Sequence, residues 1–303
     1  NINLLKDIEP IYGLTSGLSH RILSKNIQKV LVNLPVFDEW IDQKLINKHS
    51  FENWNKSIIA IHNPENAEDL INNNIYRRRL AFDELLAHQL AIAIIRNSNQ
   101  KKRGLSFSSN ANLVEKFIKN LPFKLTNSQF NVWSDIKKDL ISNNQMVRLL
   151  QGDVGSGKTI VSILAASMII GNGYQVALMA PTELLAEQHY KEFSSFFNQF
   201  NISVSLLIGK INSKEKKKIY SALKTGSIDV IIGTHALFQD DVKFKSLGLV
   251  IIDEQHKFGV NQRKKLISKG KYPEVLAMTA TPIPRTLAFT IHGDMDISII
   301  SDL

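Results

Sequence analysis

The amino-acid sequence predicts an α/β domain with a mostly parallel sheet, preceded by an α-helical segment, and three observations predict it. After residue 121, short apolar runs alternate with stretches of helical pattern. The runs are almost continuously apolar, as strands buried on both faces of a sheet require. Before residue 121, apolar residues recur at helical spacing instead. Because alternating strands and helices build parallel sheets, we expect a helical unit at residues 1–120 and the sheet domain at residues 121–303.

The helical segment is expected to contain two well-marked helices. Between residues 23 and 34, apolar residues recur at helix spacing, and Pro35 ends that helix because proline cannot continue it. Residues 76–96 contain neither glycine nor proline and are rich in leucine and alanine, which predicts a long helix with a broad apolar face. Residues 97–112 are polar and include a glycine, so we predict a surface loop there.

The predicted strands of the sheet domain are short. They occupy residues 147–151, 175–180, 203–208, 229–232, 249–252 and 275–279. Helical stretches, such as residues 159–170 and 183–197, separate them. Strands joined in this way run parallel and have their carboxyl ends at one edge of the sheet, where open α/β folds bind their ligands. We therefore expect the site residues directly after the strands.

Composition limits the classes of protein and partner. The chain has 303 residues, no cysteine and a formal net charge of +9, and 44% of its residues are hydrophobic. Disulfides and cysteine-ligated metals are excluded, and a reducing cytoplasm suits such a chain. No apolar run approaches the length of a membrane span, so we expect no membrane partner. The positive charge suits a nucleic acid, but a genome biased toward lysine and asparagine explains it equally well.

The strongest local signal is a glycine-rich run directly after the strand at residues 147–151. It consists of Gly152, Asp153, Val154, Gly155, Ser156, Gly157, Lys158 and Thr159, and it fits the pattern GxxxxGK[ST]. The glycines let successive backbone N–H groups face one phosphate, and the following helix adds positive potential. Lys158 can bind the β- and γ-phosphates of ATP, and the Thr159 hydroxyl can bind Mg²⁺. A chance match is the alternative, and the strand before the run and the helix after it argue against that.

Two adjacent acids follow another apolar strand. The strand at residues 249–252 leads directly into Asp253 and Glu254, which puts both carboxylates at the carboxyl edge of the sheet. We expect Asp253 to hold Mg²⁺ and Glu254 to polarise the water that attacks the γ-phosphate, with Lys158 as the third catalytic residue. A solvated acidic turn would show the same pattern, but the phosphate loop upstream favours the catalytic interpretation.

An adenine contact is predicted upstream of the phosphate loop. The Gln129 amide can donate and accept hydrogen bonds, as an adenine edge requires, and Phe123 can stack on the base. Thr126 followed three residues later by Gln129 also fits a capping box at a helix start. Both interpretations can hold together, so Phe123 and Gln129 join residues 152–159 as candidate ATP-binding residues.

Four strings of residues, together with the phosphate loop, make the chain resemble the superfamily 2 helicases. APTELLAEQH at residues 180–189 is similar to their motif Ia, and GTHAL at residues 233–237 is similar to motif Ib. DEQHKFGV at residues 253–260 is similar to motif II, and TATPIPRT at residues 279–286 is similar to motif III. Within that superfamily, these strings resemble the RecG family of branch-migration helicases.

The RecG family and the transcription-repair coupling factor Mfd share several of these strings. Gln255 favours RecG, because Mfd usually has a glutamate at this place in motif II. The helical segment also resembles the RecG connector through PIYGLTSGL at residues 10–18 and RLAFDELLAHQ at residues 79–89. An Mfd-like duplex DNA translocase is therefore the alternative among enzymes. If the chain is not an enzyme, the alternative is a nucleotide-binding module without turnover.

The resemblance implies a RecA-like P-loop NTPase fold, ATP and Mg²⁺ as cofactors, and branched or forked DNA as the partner. It implies an ATP-dependent DNA helicase that regresses forks and migrates Holliday junctions in recombination and repair. Such a protein works in the bacterial cytoplasm, associated with the nucleoid. A wedge domain with an OB fold would precede Asn1, and a second RecA-like domain with an arginine finger would follow Leu303. We therefore expect this chain to carry half of the ATP site.

The same resemblance implies residues for DNA contact and for coupling between ATP and DNA. The candidate DNA-binding residues are Thr182, Glu183, Thr234 and His235, in loops that follow two strands. Thr182 also fits the N-cap of the next helix. The candidate coupling residues are His256, Thr279 and Thr281. The basic runs at residues 214–218 and 264–265 are more often solvated faces than DNA contacts.

Overall fold

The strands form one parallel sheet in the computed structural model, which describes residues 8–100, 104–108, 112–281 and 295–302. Over these residues the strands are β1 (Val147–Gly152), β2 (Gln175–Met179), β3 (Val204–Leu207), β4 (Val230–Gly233), β5 (Leu247–Ile252), β6 (Glu274–Thr279) and β7 (Asp296–Ile300). Neighbours pair in parallel in the order β3-β4-β2-β5-β6-β1-β7. The predicted α/β class with a mostly parallel sheet is thus confirmed.

Two compact units make up the chain, Asn1–Ala91 and Ile92–Leu303. The first unit contains α1 (His20–Val32), α2 (Gln43–His49), α3 (Trp54–His62) and most of α4 (Ile75–Gln100). The second unit contains the sheet with α5 (Asn112–Lys119), α6 (Asn127–Ile141), α7 (Lys158–Gly171), α8 (Glu183–Phe197), α9 (Ser213–Thr225) and α10 (Val260–Ile267). Over the described residues, none of these helices has both the length and the hydrophobicity needed to cross a membrane.

The sheet unit includes residues that the sequence predicts to lie outside it. Phe107 and Phe117 are buried in the same core as the strands, although the predicted boundary is at residue 121 and a surface loop is predicted at residues 97–112. Phe107 packs edge-to-face on Tyr174, with 5.3 Å between the ring centroids. This partner is far away in the sequence, so the polar local composition gave no indication of the contact. Phe107 is therefore in the core where a surface loop is predicted, while the domain boundary at residue 121 stays a prediction.

Helices cover both faces of the sheet. On one face α6, α7 and α8 pack on the strands through a large core that includes Phe193. On the other face α9 and α10 pack through a smaller core that includes Leu223 and Leu266. Val250 belongs to the smaller core and its neighbour Ile251 to the larger one, because successive side chains of a strand point to opposite faces. Coverage of both faces explains why the strands are almost continuously apolar.

A fully buried arginine joins the elements of the first unit. Arg79 on α4 donates from Nη1 and Nη2 to the two carboxylate oxygens of Glu39, at 2.8 Å each, and from Nε to Asp83 at 2.9 Å. Its Nη1 also donates to the carbonyl oxygen of Glu52 at 3.1 Å. The guanidinium lies 5.3 Å from the centroid of the Trp40 ring. Because a buried charge is costly unless it is paired, the two carboxylates account for how Arg79 is accommodated.

The strand β7 is not predicted from the sequence. Its residues pair with β1 along the whole strand, from Asp296 opposite Arg148 to Ile300 opposite Gly152. Arg148 donates to the Ser298 hydroxyl at 2.7 Å, which links the two strands through their side chains as well. β7 is last in the strand order and mixes polar with apolar residues, as edge strands often do. It therefore lacks the continuous apolar run by which the other strands are predicted.

Candidate active site

The strand order brings the phosphate loop and the two acids together. β1 and β5 lie on either side of β6, so the residues that follow these three strands are neighbours at one edge of the sheet. Gly152 ends β1, Thr279 ends β6, and Asp253 directly follows β5. β2 and β4, on the other side of β5, present the strings similar to motifs Ia and Ib at the same edge. Both predicted sites therefore lie at one edge of the sheet.

The loop after β1 has the backbone shape of a phosphate cradle. Gly155 and Gly157 have φ angles of +88° and +90°, which residues with a side chain rarely adopt. A Cβ atom at Gly157 would lie 2.3 Å from Nε2 of Gln129, so glycine is needed there for space as well. Gly157 is the N-cap of α7, and Lys158 is the first residue of that helix. Elsewhere in the loop, Asp153 and Val154 are exposed, Thr159 is half-buried, and Gly152 and Ser156 are buried.

Lys158 reaches back to the start of the phosphate loop. Its ammonium group donates to the carbonyl oxygens of Gly152 at 2.7 Å and of Asp153 at 2.8 Å. Burial lowers the pKa of Lys158, while the negative charges of Asp253 and Glu254 act in the opposite direction. The ammonium group is thus partly desolvated and lies near two acids, an arrangement typical of a site that binds phosphate and a cation together.

The two acids after β5 are held in different ways. Asp253 is buried, and its Oδ2 accepts a hydrogen bond from Nε2 of His189 at 2.9 Å. Its Oδ1 accepts from the backbone N–H of Glu254 at 3.1 Å, and its own N–H donates to the carbonyl oxygen of Met179 at the end of β2 at 2.9 Å. Glu254 has a φ angle of +47°, a strained conformation for a residue with a side chain. Such strain is often found at functional residues.

The end of β6 contacts the Glu254 carboxylate. The Thr279 hydroxyl donates to Oε2 at 3.4 Å, and the Ala280 N–H lies 3.3 Å from Oε1 and 3.4 Å from Oε2. The Thr281 N–H donates to the Thr279 hydroxyl at 3.2 Å, and Nδ1 of His256 lies 3.6 Å from Oε2 of Glu254. The structure therefore gathers the three candidate coupling residues around Glu254. The rest of the TATPIPRT string lies outside the described residues.

The Gln129 side chain joins α6 to the phosphate loop. Its Nε2 donates to the carbonyl oxygen of Ser156 at 2.8 Å, and its Oε1 accepts from the Thr126 N–H at 3.0 Å. The Thr126 hydroxyl accepts from the Gln129 N–H at 3.3 Å, so the capping box is present. Phe123 is exposed just before α6, where it lines a surface cavity with Phe130. An adenine base would meet an exposed aromatic ring at Phe123 and an amide already hydrogen-bonded at Gln129.

The candidate DNA-binding residues lie after β2 and β4. Thr182 caps α8, and its hydroxyl accepts from the N–H of the third residue of that helix at 3.3 Å. Glu183 forms an ion pair with Lys210 at 3.1 Å, and this hydrogen bond is the main cause of the lowered pKa of Glu183. A carboxylate repels phosphate, so Glu183 is better placed to position Lys210 through their ion pair than to contact DNA directly. Thr234 is buried and His235 is exposed, which makes His235 the accessible member of that pair.

Sequence reasoning missed His189, which belongs to the same site. His189 lies 64 residues before its partner Asp253, and nothing local connects the two. One signal is present in the sequence. Ala186, Phe193 and Phe197 are three residues before, four after and eight after His189, which is the spacing of a buried stripe on a helix, and all four residues are buried. A histidine on such a stripe needs a polar partner inside the protein.

Comparison with known proteins agrees with this geometry. The DEAD/DEAH box helicase family matches residues 126–289, which is more than half of the chain. The chain belongs to the DEAD/DEAH box helicase family. The chain is 45% identical over 303 residues to the ATP-dependent DNA helicase RecG of Thermotoga maritima, and this match covers 99% of the chain. It is 43% identical to RecG of Bacillus subtilis, with 98% of the chain covered.

A solved structure of RecG bound to a three-way DNA junction is also similar to this DEAD/DEAH box chain. The TM-score is 0.72 at 44% sequence identity, over 96% of this chain and 39% of the other. The resemblance to RecG and the RecA-like helicase fold are thereby confirmed. The chain spans 38% of the length of the Thermotoga maritima relative and 44% of the length of the Bacillus subtilis relative.

Proposed function

We propose that this chain is the ATP-binding half of the motor of an ATP-dependent DNA helicase that remodels branched DNA in recombination and repair. The observation that carries the proposal is the geometry at one sheet edge, where the phosphate loop after β1, the acids after β5 and the end of β6 lie side by side. The RecG relatives support the type of helicase. In this proposal the protein acts on the nucleoid in the bacterial cytoplasm.

The phosphate loop fits the phosphates of ATP. Gly155 and Gly157 allow its backbone N–H groups to converge, and the start of α7 adds the positive end of a helix dipole. The Ser156 hydroxyl is buried and, among the described residues, has no hydrogen-bond partner, which favours a ligand at this loop. Lys158 would exchange its two carbonyl partners for phosphate oxygens when ATP binds. The donors of the loop therefore match a triphosphate.

The residues of the site also fit Mg²⁺, which prefers oxygen ligands and usually takes only one or two from the protein. The Thr159 hydroxyl and the Asp253 carboxylate would hold the ion. When bound, Mg²⁺ would neutralise charge on the phosphates. Asp253 is already restrained at both oxygens, so little freedom is lost when it becomes a ligand.

Glu254 would orient and polarise the attacking water. Its carboxylate is anchored by the Thr279 hydroxyl and the Ala280 N–H at the end of β6. These two contacts make Glu254 sensitive to movement of β6, and Thr281 is hydrogen-bonded to the same hydroxyl. The coupling proposed for Thr279 and Thr281 rests on these contacts. The third coupling candidate, His256, is more exposed and lies near the same Glu254 carboxylate.

The other half of the same edge would contact DNA. The Thr182 hydroxyl, the exposed His235 and the N–H groups at the start of α8 can meet phosphate oxygens there. Such contacts follow the backbone of the strand and do not read its sequence. The three-way junction bound by the RecG relative supports branched DNA as the partner. The many RecG relatives favour this activity over that of an Mfd-like duplex translocase.

The test compares Glu254→Gln and Lys158→Ala with wild type in the whole protein. Glu254→Gln keeps the shape of the side chain but weakens its action on water, so ATP should bind while turnover falls about 10²-fold or more. Lys158→Ala removes a phosphate partner, so binding and hydrolysis should both be lost. The measurements are nucleotide affinity and ATPase rate with forked DNA present. Normal turnover in Glu254→Gln would show that the base lies elsewhere, and a wild type that binds ATP without hydrolysing it would favour the module without turnover.

A further inference from the structure

His189 occupies a core position where an apolar side chain would pack at a lower cost in stability than a histidine. It is buried on the stripe of α8 that also contains Ala186 and Phe193. Its Nδ1 atom is buried and, within the part of the chain that the structure describes, has no hydrogen-bond partner. A buried polar atom without a hydrogen-bond partner costs stability, and an apolar side chain of similar size would avoid that cost. The other ring nitrogen, Nε2, must therefore account for the role of the histidine.

The partner of Nε2 determines where the proton lies. The Asp253 carboxylate accepts hydrogen bonds, so Nε2 of His189 is the donor in this pair. Oδ2 of Asp253 accepts from His189 at 2.9 Å, and Oδ1 accepts from the Glu254 N–H at 3.1 Å. Two donors on two different oxygens fix the rotation of the carboxylate group. Each oxygen keeps a further lone pair for another ligand.

We propose that His189 is a positioning residue that holds the Asp253 carboxylate in the orientation that binds Mg²⁺. The inference rests on the proposed function of Asp253 as the Mg²⁺ ligand. Hydrogen-bond partners of a metal-binding carboxylate orient it, and their loss commonly weakens metal affinity by about 10- to 100-fold. His189 itself does not contact the ion in this proposal. It acts through the carboxylate alone.

The test measures how Mg²⁺ strengthens the binding of ADP to the whole protein, with the Mg²⁺ concentration varied. We expect His189→Leu to raise the Mg²⁺ concentration at half effect by about tenfold or more, because Asp253 is no longer oriented. His189→Gln can place an N–H close to the position of Nε2 and should restore most of the affinity. His189→Asn reaches only the position of Nδ1 and should behave like His189→Leu. Lys191→Ala, an exposed change on the same helix, should match wild type.

Two outcomes would overturn the proposal. One is a wild-type Mg²⁺ requirement in His189→Leu and His189→Asn, and the other is a His189→Gln variant no better than His189→Leu. A purely structural role would lower the thermal unfolding midpoint of the variants without changing their Mg²⁺ requirement, so both quantities are measured. Failure of the proposed function would look different. Wild type would then hydrolyse no ATP, and the ADP measurements would still decide the role of His189.

Discussion

Glu274 is a buried carboxyl group held by backbone N–H groups. It is fully buried at the start of β6, and its side chain accepts hydrogen bonds from the N–H groups of Met146 and of Leu105, the latter at 3.2 Å. Burial raises the pKa of Glu274 to about 8, although both hydrogen bonds act to lower it. The side chain is therefore mostly protonated in the folded protein at neutral pH. At the scale of one residue, it joins the segment at residues 104–108 to the sheet.

Glu274 should make the stability of the sheet unit depend on pH. Its folded pKa of about 8 exceeds the ordinary value of 4.5, so the folded state binds an extra proton between these values. The stabilisation is complete below the ordinary pKa and is lost as the pH rises through the folded pKa. Glu274→Gln keeps the shape of the neutral acid and should remove a pH dependence on the order of a few kcal/mol. The measurement is the free energy of unfolding in urea between about pH 5 and pH 8.

The control for this prediction is Glu115→Gln, which changes an exposed acid of the same unit. Its unfolding free energy should follow the wild-type pH dependence. If Glu274→Gln had the same pH dependence as wild type, a different group would be responsible.

At the scale of elements, the first unit depends on how α4 is joined to the segments before it. Arg79 connects α4 to Glu39, which precedes α2, and to the carbonyl oxygen of Glu52, which precedes α3. Asp83, one turn further along α4, accepts from Arg79 and also from the Trp40 indole N–H at 2.9 Å. Three stretches of chain therefore meet at one guanidinium group, whose flat shape matches the paired carboxylates.

Arg79→Ala should destabilise the first unit by about 2–3 kcal/mol, because it removes a fully buried side chain together with its hydrogen bonds to Glu39 and Asp83. Arg79→Lys should recover only part of this, since an ammonium group cannot form the two-pronged contact. The measurement is the free energy of unfolding, with tryptophan fluorescence reporting the surroundings of Trp40. Arg77→Ala, an exposed change on the same helix, should stay within about 0.5 kcal/mol of wild type. Equal effects of the changes at Arg77 and Arg79 would contradict the role given to the buried arginine.

At the scale of the whole molecule, the chain has one side of the proposed ATP site. Motors of this type stabilise the transition state with an arginine from a facing domain. Among the described residues of the sheet unit, Arg96 pairs with Asp296, Arg148 with Asp139 at 2.7 Å, and Arg263 with the Gln255 amide oxygen at 3.2 Å. Arg285 belongs to the motif III string of the same domain and lies outside the described residues. In the proposed mechanism, a facing domain supplies this arginine.

We expect residues 1–303 on their own to bind ATP or ADP with Mg²⁺ weakly and to hydrolyse ATP on the order of 10³-fold more slowly than the whole protein. DNA should stimulate them little, because affinity for DNA depends on the number of phosphates neutralised. The measurement is a steady-state ATPase assay at low salt, with and without forked DNA. Strong stimulation by the fork would mean that two copies complete one site or that the two-domain mechanism is wrong.

The sequence by itself determined the fold class and the residue types of the candidate site. The strands β1 to β6 are predicted to within two residues of their observed ends. The phosphate loop at residues 152–159 and the acids Asp253 and Glu254 are recognisable as short contiguous strings, and so is the capping box from Thr126 to Gln129. The physical reason is that strand, turn and cap preferences act over a few neighbouring residues.

Only the tertiary structure decided which of these pieces meet. It inserted β6 between β1 and β5, which brings Thr279 against Glu254. It paired His189 with Asp253, buried Phe107 in the sheet core and added β7 at the edge beside β1. Each of these depends on a partner tens of residues away, and no local pattern names that partner. Strand order and buried polar pairs depend on the packing of the whole unit. A polar group can be buried only where a partner from another part of the chain satisfies it.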